Sequence, residues 1–245
     1  MNFFGLSFCE LSLPQICETL LGRPANAPFA YVVTPNADHL DRLRRNPTLR
    51  PAYDAALFRL FDSRFLAQFV KLLGRKPPVV VTGADLTAVL LPNLAGERVA
   101  VVGMEDDAFA ALRGRFPHIG FLRHNPPMGL LHNPVAFAEA AHFVASANAC
   151  FVFFAIGSPV QEILAQEVLR HGKALGLGLC IGAALEFAAG TRRRAPAWMQ
   201  RAGLEWLHRL CQEPRRLGPR YLLRAPRVPV LLLAEAVGFR AGSNR

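Results

Sequence analysis

Short apolar runs alternate along this chain with longer stretches in which apolar residues recur at helical spacing. The apolar runs have the length and the β-branched and aromatic content of strands, and they occupy residues 29–34, 57–61, 78–82, 98–102, 119–122, 151–156 and 177–182. Helical spacing appears between them, at residues 38–47, 63–74, 84–91, 105–115, 134–147 and 158–172. The pattern therefore predicts a β–α unit that repeats along the chain.

The apolar runs are continuous instead of alternating with polar residues, which is typical of strands covered by helices on both faces. We expect an α/β fold with a mostly parallel, Rossmann-like sheet and helices on both faces. Ligands of such sheets lie beyond the carboxyl ends of the strands. Polar or glycine-rich residues follow the first, second, third and sixth runs, so we expect one crevice to be lined by the segments VVTPNADH, FDSR, VTGADL and AIGSPVQE.

Residues 195–216 read APAWMQRAGLEWLHRLCQEPRR. Apolar residues at helical spacing predict a single amphipathic helix, and its apolar face consists of Trp198, Ala202, Trp206, Leu207 and Leu210. Arginines surround that face. We interpret the segment either as a helix that packs on the core and directs arginines at a substrate, or as a helix that lies at a lipid interface.

The positive charge of the chain is concentrated near its end. The 245 residues carry a net charge of +10, yet residues 1–191 hold 16 basic and 15 acidic residues, whereas residues 192–227 hold ten arginines and two glutamates. We therefore predict an α/β core over residues 1–191 and an arginine-rich helical appendage over residues 192–245. Such a patch attracts the phosphates of nucleic acid, of an anionic membrane surface or of a diphosphate substrate, and charge alone does not choose among them.

Several common kinds of site are missing from the sequence. The five cysteines form no CxxC pair and the seven histidines show no metal-ligand spacing, so we expect no metal, no disulfide framework and no cofactor. Neither GxGxxG nor GxxxxGK[ST] occurs. The longest apolar runs, residues 149–157 and 228–239, are shorter than the roughly 20 residues that cross a bilayer. We expect a cytoplasmic protein that either stays in solution or lies on a membrane without spanning it.

Three polar residues near predicted strand ends each allow two interpretations. Asp62 either caps the helix that begins near Ser63 or serves as a general base. Asn36 either caps the next helix or presents its amide to a sugar, together with the hydroxyl of Thr34. Gln161 either belongs to an ordinary helix start, with Pro159 near its first position, or faces the crevice from the first turn, where free N–H groups attract phosphate. The residues alone leave these alternatives open.

These segments together resemble the bacterial WecG/TagA/CpsF glycosyltransferase family over roughly residues 29–224. The most specific part is the order RAPxWMQRxGLEWLxRLxQEPRR in the basic segment. The resemblance implies a metal-independent, inverting transferase in cell-surface polysaccharide synthesis. Its donor would be a UDP-sugar of the N-acetylmannosamine type or a related hexose. Its acceptor would be a saccharide linked to a lipid diphosphate such as undecaprenyl diphosphate, at the inner face of the bacterial cytoplasmic membrane.

The resemblance also assigns roles to residues. Asp62 would be the base, with Thr34 as a second catalytic residue. Substrate binding would fall to Asn36, Thr82, Gly83, Asp85, Gln161, Arg194, Arg209, Arg215, Arg216 and Arg220. The chain departs from the family pattern where Ser63 and Arg64 follow Asp62 in place of glycine. The appendage would bind the anionic membrane surface and nucleic acid would not be a partner, while the formation of a homo-oligomer stays open.

Two other functions compete with this interpretation. A nucleic-acid-binding protein would use the arginines and tryptophans of the basic segment to hold phosphates and stack on bases, but it would leave the crevice segments without a role. A non-catalytic scaffold of a polysaccharide assembly complex would explain the changed residues after Asp62. Only turnover separates the scaffold from the enzyme.

Overall fold

A parallel six-stranded sheet forms the centre of the molecule. The computed structural model of this chain describes residues 1–218 together with residues 227, 229, 230, 232 and 233. Strands β1 (Asn2–Phe3) and β2 (Leu6–Ser7) form a short antiparallel hairpin. The main sheet has the order β4-β3-β8-β7-β5-β6, and its strands are β3 (Ala30–Val33), β4 (Phe58–Arg59), β5 (Arg98–Val102), β6 (Gly120–His124), β7 (Phe151–Phe154) and β8 (Leu177–Cys180). All its pairings are parallel, which confirms the predicted α/β fold.

The six helices that the pattern predicted are present, with bounds shifted by a few residues. The helices are α1 (Leu13–Leu21), α2 (Ala37–Arg45), α3 (Arg50–Asp54), α4 (Arg64–Leu72), α5 (Gly83–Leu90), α6 (Asp106–Arg115), α7 (Pro134–Ser146), α8 (Val160–His171), α9 (Ala184–Ala189), α10 (Ala197–Arg201), α11 (Glu205–Gln212) and α12 (Pro214–Gly218). Helices α1, α3 and α9 and the hairpin were not predicted.

Two apolar clusters cover the two faces of the sheet. Successive residues of one strand belong to different clusters, since Val152 and Phe154 join one cluster and Phe151 and Phe153 join the other. Helices α2, α3, α4, α7 and α8 contribute to the first cluster, and helices α1, α5, α6 and α9 contribute to the second. Both faces are therefore buried, which explains why the strands read as continuous apolar runs.

Two predictions from the pattern are wrong. Residues 78–82 form no strand and make only an isolated parallel bridge, from Val80 to Phe61. The preceding Pro77 and Pro78 have no backbone N–H to donate to a neighbouring strand, which limits pairing there. The helix predicted over residues 195–216 is instead the three short helices α10, α11 and α12. It is interrupted at Gly203, whose φ of +74° is left-handed, and again before Pro214.

Within the described residues, no helix combines the length and the apolar character that crossing a membrane requires.

Candidate active site

A cavity of about 460 Å³ lies beyond the carboxyl ends of β3, β4 and β8. The segments that follow these strands, together with the start of α5, contribute Asn36, Ala37, Asp38, Asp62, Ser63, Arg64, Phe65, Thr82, Ala84, Ile181, Ala183 and Ala184. Helix α9 and the C-terminal part of the chain complete the wall with Phe187, Gly203, Glu205, Trp206, Arg209, Pro229 and Val230. The cavity lies at the edge of the sheet where parallel α/β proteins bind their ligands.

Asp62 joins three segments of the cavity wall. Its backbone N–H donates to the carbonyl oxygen of Pro35, at 3.0 Å, and its Oδ2 accepts from the N–H of Gly83, also at 3.0 Å. The cap of α4 is Ser63, whose hydroxyl oxygen accepts from the N–H of Leu66 at 3.2 Å. The capping interpretation of Asp62 is therefore wrong, since its side chain belongs to the cavity.

The surroundings of Asp62 raise its pKa to about 6 from the ordinary value of 3.8, chiefly because burial disfavours the charged carboxylate. The hydrogen bond from Gly83 acts in the opposite direction. Glu205 raises the pKa further and Arg209 lowers it, and both residues come from the C-terminal part of the chain. A carboxyl group that titrates near neutral pH in a cavity is suited to accept a proton from a bound hydroxyl.

Several helices begin at the wall of this cavity. Asn36 caps α2 by accepting from the N–H groups of Asp38 and His39, at 3.0 and 3.3 Å, so the capping interpretation is correct and the residue also lines the cavity. Thr82 caps α5 by accepting from the N–H of Asp85 at 3.0 Å. Together with the starts of α4, α9 and α11, these N-termini lie at the cavity wall, and a helix N-terminus carries partial positive charge. The arrangement favours an anionic ligand.

Thr34 and Gln161 lie next to the cavity wall without lining it. The hydroxyl of Thr34 is 4% exposed and donates to the carbonyl oxygen of Cys180 at 3.0 Å. The Gln161 amide is buried as well; it donates to Glu162 at 2.8 Å and accepts from the N–H of Gly182 at 3.1 Å. Both side chains hold the backbone that follows β8 in place. Their predicted roles toward a substrate stay predictions.

Asp85 and Arg194, expected to bind substrate, bind each other. An Nη2 to Oδ1 distance of 2.8 Å joins them, and Asp85 also binds the guanidinium of Arg64. Burial opposes ionisation of Asp85, but Arg194, the Thr82 hydroxyl and Arg64 outweigh it and hold the pKa of Asp85 below its usual value.

The four arginines predicted in the basic helix and beyond it have different positions. Arg209 lines the cavity, with its guanidinium 5.8 Å from the ring centre of Phe187. Arg215 is exposed on α12. The side chain of Arg216 and the whole of Arg220 lie outside the described part of the structure.

The structure also brings together residues that sequence reasoning missed. The AIGSPVQE segment after β7 was expected in the crevice, but the segment after β8 takes that place because β8 lies beside β3 in the sheet. Phe187 and Glu205 line the cavity as well. The glycine that ends the apolar run 177–182 was a usable signal for the β8 segment, whereas nothing local marked Glu205.

No group of three or more His, Cys, Asp or Glu residues within the described part of the chain has a geometry that could hold a metal ion.

A protein-family model described as "Glycosyl transferase WecG/TagA/CpsF family" matches residues 1–242. The match covers the sheet, the cavity wall and the basic C-terminal segment.

Proposed function

We propose the function of this chain from one premise, that it belongs to the WecG/TagA/CpsF family of glycosyltransferases. It is therefore a glycosyltransferase of cell-surface polysaccharide synthesis, with a nucleotide-sugar donor and a saccharide acceptor. The finer proposal is an inverting, metal-independent transfer from a UDP-sugar, of the N-acetylmannosamine type or a related hexose. The proposed acceptor is a saccharide carried on a lipid diphosphate of the undecaprenyl type.

The observation that carries the chemistry is the carboxyl group of Asp62 in the cavity, with a pKa raised to about 6. In the proposed step, an acceptor hydroxyl attacks the anomeric carbon of the donor while the Asp62 carboxylate takes the hydroxyl proton. The new glycosidic C–O bond forms as the bond from the anomeric carbon to the phosphate oxygen breaks. The electron pair of that bond leaves with the diphosphate, and attack from the opposite face inverts the anomeric centre.

The leaving diphosphate needs positive charge near it. Arg209 lines the cavity, as do residues at the N-termini of α2, α4 and α5. We propose that these groups stabilise the charge that develops on the leaving group, in place of a metal ion. Asn36 and Thr82 bind the donor in this proposal. Thr34, Gly83 and Gln161 lie behind the cavity wall and affect donor binding indirectly, by supporting the residues of the wall.

The C-terminal part of the chain supports an acceptor that is held at a lipid surface. Phe65, Phe187 and Trp206 give the cavity an apolar side. Trp198 is 60% exposed, and Arg201 and Arg215 are exposed as well. Aromatic and arginine side chains of this kind suit the interface of an anionic membrane. We propose that residues 192–245 are a membrane-binding appendage to a catalytic core formed by residues 1–191, and that Arg215, Arg216 and Arg220 bind the lipid diphosphate.

The test is a panel of UDP-sugars assayed for thermal stabilisation and for transfer to a synthetic lipid-diphosphate-linked sugar, with and without EDTA. We expect one donor to turn over, EDTA to have no effect, and Asp62→Asn to lower kcat by about 10² to 10⁴ with donor affinity kept. The control variant is Asp54→Asn. Asp54 forms an ion pair with Arg50 on α3, away from the cavity wall, so this variant should retain full activity.

Each competing function gives a different result in this assay. A nucleic-acid-binding protein would bind single-stranded nucleic acid at moderate salt and would not be stabilised by UDP. A scaffold would bind UDP-sugar without turnover, and unchanged kcat in Asp62→Asn would refute the assignment of the base.

A further inference from the structure

Four charged side chains beside the cavity form a closed ring of alternating sign. Arg64 contacts Asp85 and lies 3.5 Å from Glu205, while Arg194 lies 2.8 Å from Asp85 and 3.3 Å from Glu205. Each side chain is only 19 to 26% exposed. Each positive group therefore touches both negative groups, and the ring has no net charge.

The ring connects three distant segments of the chain. Arg64 is the first residue of α4 and Asp85 lies in the first turn of α5, so both belong to the core side of the cavity wall. Arg194 and Glu205 both come from the C-terminal segment. Arg194 also donates to the Thr82 hydroxyl at 3.4 Å. The N-termini of two core helices are thus tied to the segment that crosses over them.

Backbone packing supports the same attachment. A side chain at Gly203 would place its Cβ 3.1 Å from both the N and the Cα of Phe65, so the backbone of this segment lies directly on the start of α4. The Trp206 ring packs edge to face on Phe65, with ring centres 6.0 Å apart. The ring of charges and this close contact act at the same place.

Glu205 connects the ring to the cavity. It is the first residue of α11, and Arg209 lies one helical turn further along the same helix. Since Trp206 and Arg209 both line the cavity, the position of the start of α11 sets the position of both side chains. Fixing Glu205 therefore fixes that wall.

We propose that the ring of Arg64, Asp85, Arg194 and Glu205 is a positioning device that holds α11 against α4 and α5, so that Arg209 and Trp206 form the cavity wall facing Asp62. Asp85 and Arg194 then act through the ring and not by touching the substrate. The inference rests on the proposed function only in taking this cavity as the active site.

Charges of the ring and of α11 also act on Asp62. Glu205 raises the pKa of Asp62 and Arg209 lowers it, so displacement of α11 changes the protonation of the base. Asp85, a member of the ring, raises the pKa of Asp62 as well.

The experiment uses the full-length chain with Trp198→Phe, which leaves Trp206 as the only tryptophan, because the chain has two. Acrylamide quenching then reports the packing of Trp206 on Phe65 without any substrate. We expect Glu205→Gln, Asp85→Asn and Arg194→Gln each to raise the quenching constant at least about twofold, because the start of α11 loses its contacts. The control Glu167→Gln removes a carboxylate from α8 and should change nothing.

Kinetics provide the second readout. We expect Arg194→Gln and Glu205→Gln each to lower kcat about tenfold with little change in donor KM. The double variant should lower kcat by about as much as either single variant, because both substitutions open the same ring. A large rise in donor KM in Arg194→Gln alone, with additive effects, would show direct substrate binding and overturn the proposal.

The two readouts separate this inference from the proposed function. Quenching that is unchanged in all three variants overturns the positioning role, whatever the kinetics show. If the wild-type chain transfers no sugar, the proposed function fails, and the quenching comparison still decides on the ring. Should Glu205→Gln not fold, Glu205→Asp and Asp85→Asn carry the same comparison.

Discussion

Replacement of Asp62 by asparagine should make this protein more stable while it slows the proposed catalysis. Folding raises the pKa of the Asp62 carboxyl from 3.8 to about 6, mainly through burial. The neutral form is therefore favoured in the folded state, and the stability that this provides below pH 3.8 is lost as the pH rises through 6. Asparagine keeps an oxygen that can accept from Gly83 and carries no charge at any of these pH values.

The magnitude follows from the two pKa values. Each pKa unit corresponds to about 1.36 kcal/mol, so ionisation of Asp62 costs about 3 kcal/mol of folding free energy at pH 8 and about 1 kcal/mol at pH 4.5. Asp62 lines the cavity and is only partly buried, and solvent screening of such a group makes about 3 kcal/mol an upper bound. We expect Asp62→Asn to exceed the wild type in stability by about 1 to 3 kcal/mol at pH 8, with a smaller gain at pH 4.5.

Urea denaturation followed by circular dichroism at pH 4.5, 6 and 8 measures this difference, with Asp54→Asn as the control for removing an exposed carboxylate. The difference in the free energy of unfolding between the wild type and Asp54→Asn should stay nearly constant at the three pH values. A gain for Asp62→Asn that is the same at all three pH values would show that its pKa is not raised by folding. A lower stability of Asp62→Asn than of the wild type at pH 8 would show that the ionised carboxylate stabilises the fold. That result would contradict a base whose charged form is disfavoured by burial.

Four further substitutions test other features of the fold and the site. Gly178→Ala should lower the free energy of unfolding by about 1 to 3 kcal/mol in urea denaturation, because the new Cβ would lie 2.7 Å from the Phe29 ring. The control Gly114→Ala, on the open side of α6, should raise the free energy of unfolding by up to about 1 kcal/mol. Burial raises the pKa of Glu162, so wild-type stability should fall as the pH rises above the ordinary glutamate range, and Glu162→Gln should show a smaller fall in urea denaturation, because only Asp62 then contributes to it. Arg209→Gln should move the acidic limb of the pH–kcat profile upward, since Arg209 lowers the pKa of Asp62; a limb that moves downward contradicts the role given to this arginine.

Local patterns in the sequence were sufficient for the architecture. Burial on both faces of a parallel sheet requires continuous apolar strands, and packing of one helix face requires apolar residues at helical spacing. Both patterns can therefore be recognised within about a dozen residues. The same local logic identified Asn36 as a cap and placed Asp62 at a strand end. It failed at residues 78–82, where the apolar composition resembles a strand but the run begins at Pro78, directly after Pro77.

The composition of the site depended on which distant segments become neighbours. Thr34 reaches a carbonyl group 146 positions away, and Arg194 reaches the Thr82 hydroxyl across 112 positions. The order of strands placed β8, and not β7, beside β3, and this decided that the residues after β8 line the cavity while Gln161 is buried behind it.

The sequence by itself thus determined the α/β class, the parallel sheet, most of its strands, the six main helices and the residue types available for chemistry. Only the tertiary structure decided which of them share the cavity, which arginines are neutralised by carboxylates, and how far the pKa of Asp62 is raised. The physical reason is that periodicity records the burial of each element, whereas burial of a charge and pairing of charges depend on groups that other elements supply.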